Sequence, residues 1–361
     1  DILCPQNERI EALAKSEGWD YVHPILKGWG MAELKKIMRF MQDRPDATLN
    51  LHYVPYSFQK KGLPFQMLWL GAILGLKGIP LYTTFHEVSV RYRWRKPQRI
   101  PLAWGQRFIA NFLAWVSKGS FTSIGLYHRY FFPFTRRRVR RIPIGSNIPM
   151  MPQTDNFRRK LRANFADEGT CLLSFFGRNP RKVGIALETL TQLDEQGVKA
   201  SLLLIGGFSE EWKDKLKSKA SSLGVAERIH FTGYLPAEDI YAHLQATDIY
   251  LGMFEEGICL KSGTIAAALG AGLAIVGTHG DMTDPFFHSG ENCLLVNELK
   301  PEAFTVAIRK IWQSPDALLR ISQGARRAFQ QDLTWEVTWE RYAQTMFNSP
   351  LRPVWAPKPQ A

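Results

Sequence analysis

Cysteine is scarce and scattered in this chain of 361 residues. There are four cysteines, with no C-x-x-C pair and no histidine pair at metal-ligand spacing. This scarcity excludes a disulfide-rich scaffold, and the spacing gives no sign of a metal site. We therefore expect buried free thiols in a reducing compartment, without a bound metal. The four are Cys4, Cys171, Cys259 and Cys293.

Long apolar runs are also missing. The longest runs from 65 to 76 with one glutamine inside, which is about half the length that a membrane-spanning helix needs. We therefore expect no transmembrane segment. The chain begins with Asp1 rather than Met and shows no basic-then-apolar leader, so we expect no signal peptide, a missing natural N-terminus and a cytoplasmic location.

Acidic residues are few in the first half of the chain. Residues 1–152 contain 23 Lys and Arg against 9 Asp and Glu, whereas residues 153–361 contain 23 against 24. Such an asymmetry indicates that one domain meets an anionic surface or acceptor. The length and the ordinary composition predict two domains. We place their boundary between 152 and 153, and we expect the last segment, 336–361, to form a helix that crosses back to the first domain and then a tail.

The second half alternates between strand-like and helix-like stretches. This alternation predicts a parallel sheet that is covered by helices on both faces, with ligands outside the carboxyl ends of its strands. The predicted strands are 171–177, 200–206, 228–233, 247–254, 273–278 and 292–297. The predicted helices are 182–196, 209–223, 237–246, 263–271, 301–313, 315–330 and 335–347.

The first half is less regular but also reads as α/β. Its first fifty residues contain no glycine-rich turn from a strand into a helix. The predicted strands are 48–56, 79–87, 121–126 and 140–146, and the predicted helices are 31–43, 64–76 and 104–117.

The stretch FEEGICLKSGTIAAALGAG, from 254 to 272, carries the clearest chemical pattern. A helix that opens with Lys261, Ser262, Gly263 and Thr264 presents unpaired amides, a positive dipole end and an ammonium group, which suit a phosphate. The carboxylates at 255–256, just upstream, can accept hydrogen bonds from several hydroxyls. The pattern favours a sugar-phosphate ligand. The alternative is a capped core helix whose small residues only allow close packing.

A second turn, FFGRNPRK at 175–182, supports the same ligand. It follows a strand, opens a helix and contains Arg178, Arg181 and Lys182. Cations at the carboxyl end of a strand can form an anion pocket, although basic loops are more often simply solvated. If this turn lies beside the 256–264 turn, the two together can bind a diphosphate.

The ordered set of motifs in the second half resembles the nucleotide-binding domain of GT-B glycosyltransferases, specifically the retaining glycosyltransferase family 4 (group 1). GRNPRK is similar to that family's G-R-x(4)-K-G loop, and IHFTGYLPAEDI to its F-x-G-x-(V/L)-(P/S)-x-(E/D)-(D/E)-(L/I) run. AALGAGLAIVGTHG, SGENCLLVN and LTWEVTWERYAQTMF resemble its later motifs. The resemblance covers about 140–347 and implies two Rossmann-like domains that face a cleft.

The resemblance also implies site residues. The phosphates are expected on Arg178 and Lys182, which follow Gly177, and on the backbone of Gly263 and Thr264. The nucleobase is expected at the turn matching Gly233 and Tyr234, and the donor sugar at Glu256.

The chain departs from the family's Glu-x(7)-Glu signature, because the second position is Thr264 rather than Glu. Lys261 and Ser262 are extra polar residues nearby. We interpret this difference as an altered donor contact, while a degenerate domain that binds nucleotide or glycan without turnover stays an alternative.

His86 follows a predicted strand in LYTTFHEV, where the family places an HD- or HE-like dipeptide. An imidazole there can donate to a leaving phosphate or orient an acceptor hydroxyl. Structural packing is the alternative. Glu87 is the less certain companion, whose carboxylate would keep the imidazole protonated or orient it. By the same resemblance, Gly145 in IPIGSNIP borders the cleft.

Two basic stretches with aromatics, 91–99 and 129–141, suit the headgroup region of an anionic membrane. A solvated basic face is the alternative, and no nucleic-acid partner is expected. The side chains expected at the interface, together with the run 65–76, are Tyr92, Trp94, Phe131, Phe132 and Phe134.

The function predicted from the sequence is transfer of a sugar from a UDP- or GDP-sugar to a lipid-linked or glycan hydroxyl. The expected catalytic residues are His86, Glu256, Arg178 and Lys182. No cofactor or metal is expected, and the protein would sit peripherally on the inner face of the cell membrane. An epimerase or phosphorylase of similar fold is a further alternative.

Overall fold

The computed structural model describes residues 1–91, 97–151 and 153–347. Its chain divides into two compact units, Asp1–Ile142 and Pro143–Ala361. The division falls earlier than the boundary favoured by the charge pattern, because the segment after Pro143 packs on the second unit. The amide of Ile144 donates to the carbonyl of Leu260 at 3.3 Å, and Ile148 lies in an apolar core of that unit.

In residues 1–91 and 97–142, the first unit has six strands and seven short to medium α-helices. Its strands are β1 (Ile2–Pro5), β2 (Val22–Leu26), β3 (Leu49–Tyr53), β4 (Leu81–Phe85), β5 (Gly119–Thr122) and β6 (Val139–Arg141). Its helices are α1 (Glu8–Ser16), α2 (Met31–Gln42), α3 (Pro55–Phe58), α4 (Gln66–Leu76), α5 (Ile100–Val116), α6 (Gly125–Arg129) and α7 (Pro133–Arg136).

The sheets of the first unit are parallel. Strands β3 to β6 form one sheet in sequential order, and β1 pairs with β2 in a separate two-stranded sheet. Parallel strands that follow one another in order are joined by right-handed crossovers, so their connecting helices lie on one face of the sheet. Helices α4 and α5 are two of these connections, and they pack on each other.

In its described part, 143–151 and 153–347, the second unit has six strands and eight α-helices. Its strands are β7 (Cys171–Phe176), β8 (Ala200–Ile205), β9 (Ile229–Gly233), β10 (Ile249–Gly252), β11 (Ala274–Thr278) and β12 (Leu294–Val296). Its helices are α8 (Asp155–Ala163), α9 (Pro180–Glu195), α10 (Glu210–Ser222), α11 (Ala237–Gln245), α12 (Gly263–Gly270), α13 (Pro301–Trp312), α14 (Pro315–Asp332) and α15 (Trp335–Phe347).

The six strands of the second unit form one parallel sheet in the order β12-β11-β10-β7-β8-β9. This is the doubly wound order, in which the chain builds outward from β7 in one direction and then from β10 in the other. The neighbouring strands β7 and β10 therefore mark the topological switch point, where ligands of such sheets bind. Two apolar cores cover the two faces of the sheet.

All six strands and seven helices predicted for the second half are confirmed, with ends that move by a few residues. The four strands and three helices predicted for the first half are also present. Within the described residues the prediction missed β1, β2 and five short helices, α1, α3, α6, α7 and α8. The expected return of residues 336–361 to the first unit stays a prediction, and residues 348–361 lie outside the described part.

The segment that joins the two units is fixed to the second unit by a tryptophan. Trp335 Nε1 donates to the carbonyl oxygen of Ser146 at 2.6 Å. The indole ring also covers Gly145, where an added Cβ would lie 3.3 Å from Trp335 and 3.1 Å from the carbonyl oxygen of Leu333. Gly145 is buried under this ring, so packing explains the glycine, while the expectation that Gly145 borders the ligand cleft stays a prediction.

Candidate functional site

The two turns singled out in the sequence lie side by side in the second unit. Strands β7 and β10 pair directly, with Leu173 opposite Ile249. Since the strands are parallel, the β7–α9 turn and the β10–α12 loop leave the sheet at the same carboxyl edge. The two turns are therefore neighbours at the switch point, as a diphosphate site would require.

The β7–α9 turn is shaped by a glycine and an asparagine. Gly177 has a φ of +155°, which side-chain-bearing residues rarely adopt, and its amide donates to the carbonyl of Ile205 at 3.0 Å. Asn179 caps α9 by accepting from the amide of Lys182 at 3.4 Å, and Pro180 occupies the first turn. This start fixes Lys182 in the first turn of α9.

The β10–α12 loop is held by buried polar groups. The amide of Phe254 donates to Thr278 Oγ1 at 3.0 Å, and the amide of Leu260 donates to the buried carboxylate of Asp284 at 3.2 Å. Gly257 has a φ of +92° and packs so closely on the next loop that an added Cβ would lie 2.5 Å from the amide nitrogen of Gly280. The loop is therefore a tightly packed element.

The N-terminus of α12 faces outward from a buried helix. Residues 261–264 are half-buried, whereas 265–270 are fully buried. Ser262 caps the helix by accepting from the amide of Ile265 at 3.4 Å. The amides of Gly263 and Thr264 precede that one, and the helix itself supplies them no acceptor. An anion at this end would meet both amides and the positive end of the helix dipole.

The hydroxyl of Thr264 makes hydrogen bonds within the protein. It lies 3.0 Å from the hydroxyl of Ser262 and is hydrogen-bonded with the phenol of Tyr250, which is fully buried. Burial raises the pKa of Tyr250 to about 12. Thr264, which occupies the second position of the Glu-x(7)-Glu pattern, is thus committed to internal hydrogen bonds.

An open depression of about 420 Å³ lies between the two turns. It brings together the predicted site residues Lys182, Glu256, Lys261 and Ser262. Its lining also includes Asn179, Phe254, Glu255, Gly257, Cys259 and Met282. Two ammonium groups, two carboxylates and a helix N-terminus therefore open into one concave surface.

Lys182 is the best-positioned cation of this depression. Its Nζ atom lies 4.4 Å from the centre of the Phe254 ring, a cation–π distance. Partial burial lowers the pKa of Lys182, and the carboxylate of Glu255 opposes that effect. A half-buried ammonium group that is poorly hydrated gains more from an incoming phosphate than an exposed one does.

The remaining predicted donor residues lie along the same edge of the sheet, outside the lining of the depression. Arg178 is exposed, and its Cγ lies 3.8 Å from the position of a Cβ added to Gly206, at the end of β8. Gly233 ends β9 with a φ of +71°, and the following Tyr234 is 90% exposed. The Cβ of Tyr234 lies close to Gly207.

The spacing of this row follows from the sheet. Neighbouring strands are about 4.8 Å apart, so the ends of β9 and β10 are separated by about 14 Å. The depression at β10, Arg178 at β8 and Tyr234 at β9 therefore form a line along which an extended nucleotide can lie.

The first unit presents a pair of histidines. His86 follows β4, as the sequence predicted, and its Nε2 lies 2.9 Å from Nδ1 of His52 on the neighbouring β3. The two rings stack with centres 5.1 Å apart. Although His52 keeps exposed surface, desolvation by surrounding protein atoms and the nearby His86 lower its pKa to about 4, so His52 is neutral near pH 7.

A chain of polar groups sets the tautomer of this pair. Thr84 Oγ1 donates to Asn50 Oδ1 at 3.0 Å, which leaves the amide nitrogen of Asn50 facing His52 Nε2 at 3.4 Å. His52 Nε2 then accepts, so the His52 proton is on Nδ1 and is donated to His86 Nε2. When the His86 ring is neutral, this arrangement places its proton on Nδ1.

The aromatic residues expected at a membrane interface are only partly exposed. Phe131 is buried and packs edge-on against Phe85 at 5.0 Å, so its assignment to the interface is wrong. Phe132 is half-buried and Phe134 is 63% exposed. Tyr92 and Trp94 lie outside the described residues.

Part of the basic stretch 129–141 has a structural task. Arg136 donates to the carbonyl oxygens of Phe131 and Arg129, and Arg138 donates to that of Trp115. Throughout the described part of the chain, the helices are too short or too polar to qualify as candidate membrane spans.

The cysteines are free thiols, three of them buried and Cys4 half-buried. Among residues 1–91, 97–151 and 153–347, no group of three or more His, Cys, Asp and Glu side chains is arranged to hold a metal ion. The predicted absence of a metal or cofactor stays a prediction.

Four residues of interest were not singled out from the sequence. Asn179 and Phe254 line the depression, His52 pairs with His86, and the side-chain oxygen of Asn147 lies 3.6 Å from the Cβ position of Gly263. The Asn-Pro sequence at 179–180 is a recognisable helix start. The other three are brought into place by pairing between distant segments.

Comparisons with known proteins agree with this architecture. Residues 170–314, less than half of the chain, match the family model described as "Glycosyl transferases group 1". An uncharacterized glycosyltransferase of Methanocaldococcus jannaschii is 23% identical over 186 residues, which cover 51% of this chain and 46% of that protein. The chain thus spans about half the length of this curated relative.

Two solved structures show the same fold over most of the chain. The crystal structure of Anabaena HepE in complex with UDP has a TM-score of 0.70 at 15% identity, covering 88% of this chain and 82% of HepE. A glycosyltransferase from Rickettsia africae has a TM-score of 0.71 at 13% identity, covering 96% of this chain and 90% of that one. The fold is GT-B. The family match and the fold together support a glycosyltransferase of the group 1 type.

Proposed function

We propose that this protein transfers a sugar from a nucleoside diphosphate sugar, a UDP- or GDP-sugar, to a hydroxyl of a lipid-linked or glycan acceptor. One observation carries the proposal: the ammonium group of Lys182 and the N-terminus of α12 open into one depression that also contains Glu255 and Glu256. A diphosphate beside a polyhydroxyl sugar has the chemistry that complements this combination.

The diphosphate would lie at the switch point. Lys182 and Lys261 supply positive charge, and the amides of Gly263 and Thr264 supply fixed donors. In the proposed orientation of the nucleotide, the nucleobase lies toward Gly233 and Tyr234. Arg178 then reaches the phosphates from the side of β8. The structure of HepE with UDP supports a nucleotide partner for a protein of this fold.

The sugar would lie at the acidic end of the depression. Glu256 is half-buried and Glu255 is exposed, so both can accept hydrogen bonds from sugar hydroxyls. With Thr264 committed to Tyr250, the ribose hydroxyls must bind without the second glutamate of the family pattern.

In the proposed reaction the bond between the anomeric carbon and the β-phosphate oxygen breaks, and the anomeric carbon forms a bond to the acceptor oxygen while the proton of that hydroxyl passes to the departing diphosphate. Negative charge grows on the departing diphosphate, where preorganised cations and amides stabilise the transition state most strongly. His86 of the first unit, with its proton on Nδ1, would donate to that phosphate or orient the acceptor hydroxyl. Retention of configuration, and assignment to family 4, are carried from the resemblance.

A thermal-shift panel of UDP, GDP, ADP and their sugars tests the donor site. Ligand at 100 times its dissociation constant stabilises the folded protein by about 2.7 kcal/mol, and we expect this for one nucleotide class. Lys182→Ala should greatly reduce the shift. Lys199→Ala removes an exposed lysine at the opposite edge of the sheet and should leave the shift unchanged. An undiminished shift in Lys182→Ala would refute the donor-site assignment.

A transfer assay separates the enzyme from the alternative of a non-catalytic nucleotide-binding protein, which the commitment of Thr264 to the core favours. Radiolabelled donor sugar is incubated with lipid-linked and glycan acceptors, and products are analysed. Glycosylated acceptor supports the proposal. Nucleotide binding without turnover on any acceptor supports the binding protein, and an isomerised donor sugar would indicate an epimerase.

A further inference from the structure

Helices α4 and α5 of the first unit lie side by side with one flank buried. Met67, Leu70 and Leu74 of α4 are buried, as are Ile109 and Leu113 of α5. Gly71 permits a close crossing, because an added Cβ would lie 3.0 Å from Val116 Cγ2 and 3.3 Å from Leu113 Cδ2. The two helices are thus firmly packed by one side of each.

The opposite flank of the same helices is aromatic and open to solvent. The exposed fraction reaches 65% for Trp69 and 57% for Trp115. We call this surface the aromatic face and define it by Phe65, Trp69, Leu76, Trp104, Phe108 and Trp115.

The aromatic face is continuous across the two helices. Leu63 reaches Gly105 near the start of both helices, and Gly71 meets Leu113 further along. The helices therefore run in the same direction with one register, which aligns their exposed residues in two neighbouring rows. Each of these large side chains offers on the order of 200 Å², so the patch reaches the size at which exposed apolar surface marks an interaction site.

Positive charge lies at one end of this face. Glu87 is the only acidic residue of the sequence between Asp46 and Asp155, a segment that contains 16 Lys and Arg. Lys77 and Lys118 are exposed just beyond the C-terminal ends of α4 and α5. At the same end, Arg138 donates to the carbonyl oxygen of Trp115 at 2.5 Å. This end of the face thus complements an anionic partner.

We propose that the aromatic face binds the headgroup region of an anionic lipid bilayer. Tryptophan prefers the boundary between lipid headgroups and hydrocarbon, and each basic residue near an anionic membrane contributes about 1 kcal/mol. Helix α4 packs on the protein by one side, so its opposite side is available to lie on the membrane surface, as an interfacial helix does. The proposal assigns the contact to α4 and α5 rather than to Phe131. It concerns the first unit and stands without the transfer reaction proposed for the second.

Flotation with phosphatidylcholine vesicles, with and without phosphatidylglycerol, tests the proposal on the full chain. We expect binding to the anionic vesicles, a weakening with added salt, and a blue shift of tryptophan fluorescence. The double variant Trp69→Ser/Phe108→Ser should bind the anionic vesicles about tenfold or more weakly. Trp212→Ser, which removes a 44% exposed tryptophan of α10 in the second unit, should bind as the wild type does.

A charge variant keeps the test valid if the double variant folds poorly. Lys77→Glu/Lys118→Glu changes two exposed side chains without removing apolar area, and it should also lose binding to the anionic vesicles. Unchanged binding in a folded double variant overturns the proposal. A protein that does not bind vesicles but forms a concentration-dependent dimer in light scattering would also overturn it, if Trp69→Ser/Phe108→Ser abolishes that dimer. The aromatic face would then bind a second copy of the chain.

Discussion

His52 Nδ1 and His86 Nε2 lie 2.9 Å apart, at hydrogen-bond distance. The contact follows from the sheet, since His52 pairs with Thr84 in the parallel register of β3 and β4, and His86 follows two residues later. With Asn50 facing the far nitrogen of His52, the arrangement fixes which nitrogen of His86 is protonated. His52 is therefore a positioning residue for His86.

Replacing His52 should slow transfer without weakening donor binding. His52→Phe keeps a flat ring but removes the donor to His86 Nε2, and we expect kcat to fall about tenfold with little change in donor KM. His52→Asn places an amide nitrogen near the former Nδ1 and should recover part of the loss. Steady-state kinetics across pH 5–9 measures both.

The control for this prediction is His23→Phe, which changes a histidine of the separate β1–β2 sheet. Equal losses in His52→Phe and His52→Asn would contradict the hydrogen-bonding role and leave only a packing role.

His52 should also make stability depend on pH. Its pKa is about 4 in the folded chain against the ordinary histidine value of 6.5, so the unfolded chain binds the proton more tightly. The stability associated with neutral His52 is complete above pH 6.5 and is lost as the pH falls toward 4. Because His52 keeps exposed surface, we expect only about 1 kcal/mol. Urea unfolding at pH 7.5 and 5 should show a smaller pH dependence in His52→Asn, and an identical one would count against the low pKa.

Ser262→Asp should separate helix capping from anion binding. Aspartate caps a helix as well as serine does, so the free energy of unfolding should change by less than about 0.5 kcal/mol. A new carboxylate at the start of α12 should repel a diphosphate and raise the Kd for the nucleotide about tenfold. Calorimetric titration with the preferred nucleotide gives the affinity.

The matched variant is Ser314→Asp, at a cap with the same geometry on α14, where Ser314 Oγ accepts from the amide of Ala317 at 3.4 Å. It should leave nucleotide affinity unchanged. If both aspartate variants weaken binding alike, general charge rather than the α12 terminus is responsible.

Gly257→Ala should unfold the loop that lines the depression. The substitution combines a φ of +92° with overlap on the backbone at Gly280, and we expect a loss of about 3 kcal/mol. Gly197→Ala meets nothing within 4 Å at a φ of +74° and should lose only about 1 kcal/mol. Urea unfolding compares the two, and similar losses would show that the packing on Gly280 is unimportant.

The second half of the fold was predictable because its signals are local. Apolar strands such as Cys171–Phe176 and Ala200–Ile205 alternate with helices that are long enough to show the helical repeat of apolar residues. The features proposed to bind phosphate were likewise local, since Lys182 and Ser262 each lie at the start of a helix that follows a strand.

The remaining features depend on contacts between distant segments. Strand β1 and helix α7 have four residues each, too few for a periodic pattern. The run around Phe131 resembles an interfacial segment, yet packing against Phe85 turns that ring inward. The partner of His86 was missed because His52 is 34 residues away in sequence and is brought near only by strand pairing.

The bond from Trp335 to the carbonyl of Ser146 has a practical consequence for protein engineering. The peptide from Pro143 to Ile148 is a structural part of the second unit, where the indole ring of Trp335 covers it. A recombinant fragment that starts at 153 would lack Ile148 and expose the apolar core against which Ile148 packs. Trp335 Nε1 would also lose its hydrogen-bond acceptor, the carbonyl oxygen of Ser146. Fragments intended to fold alone should begin at Pro143 and keep α15.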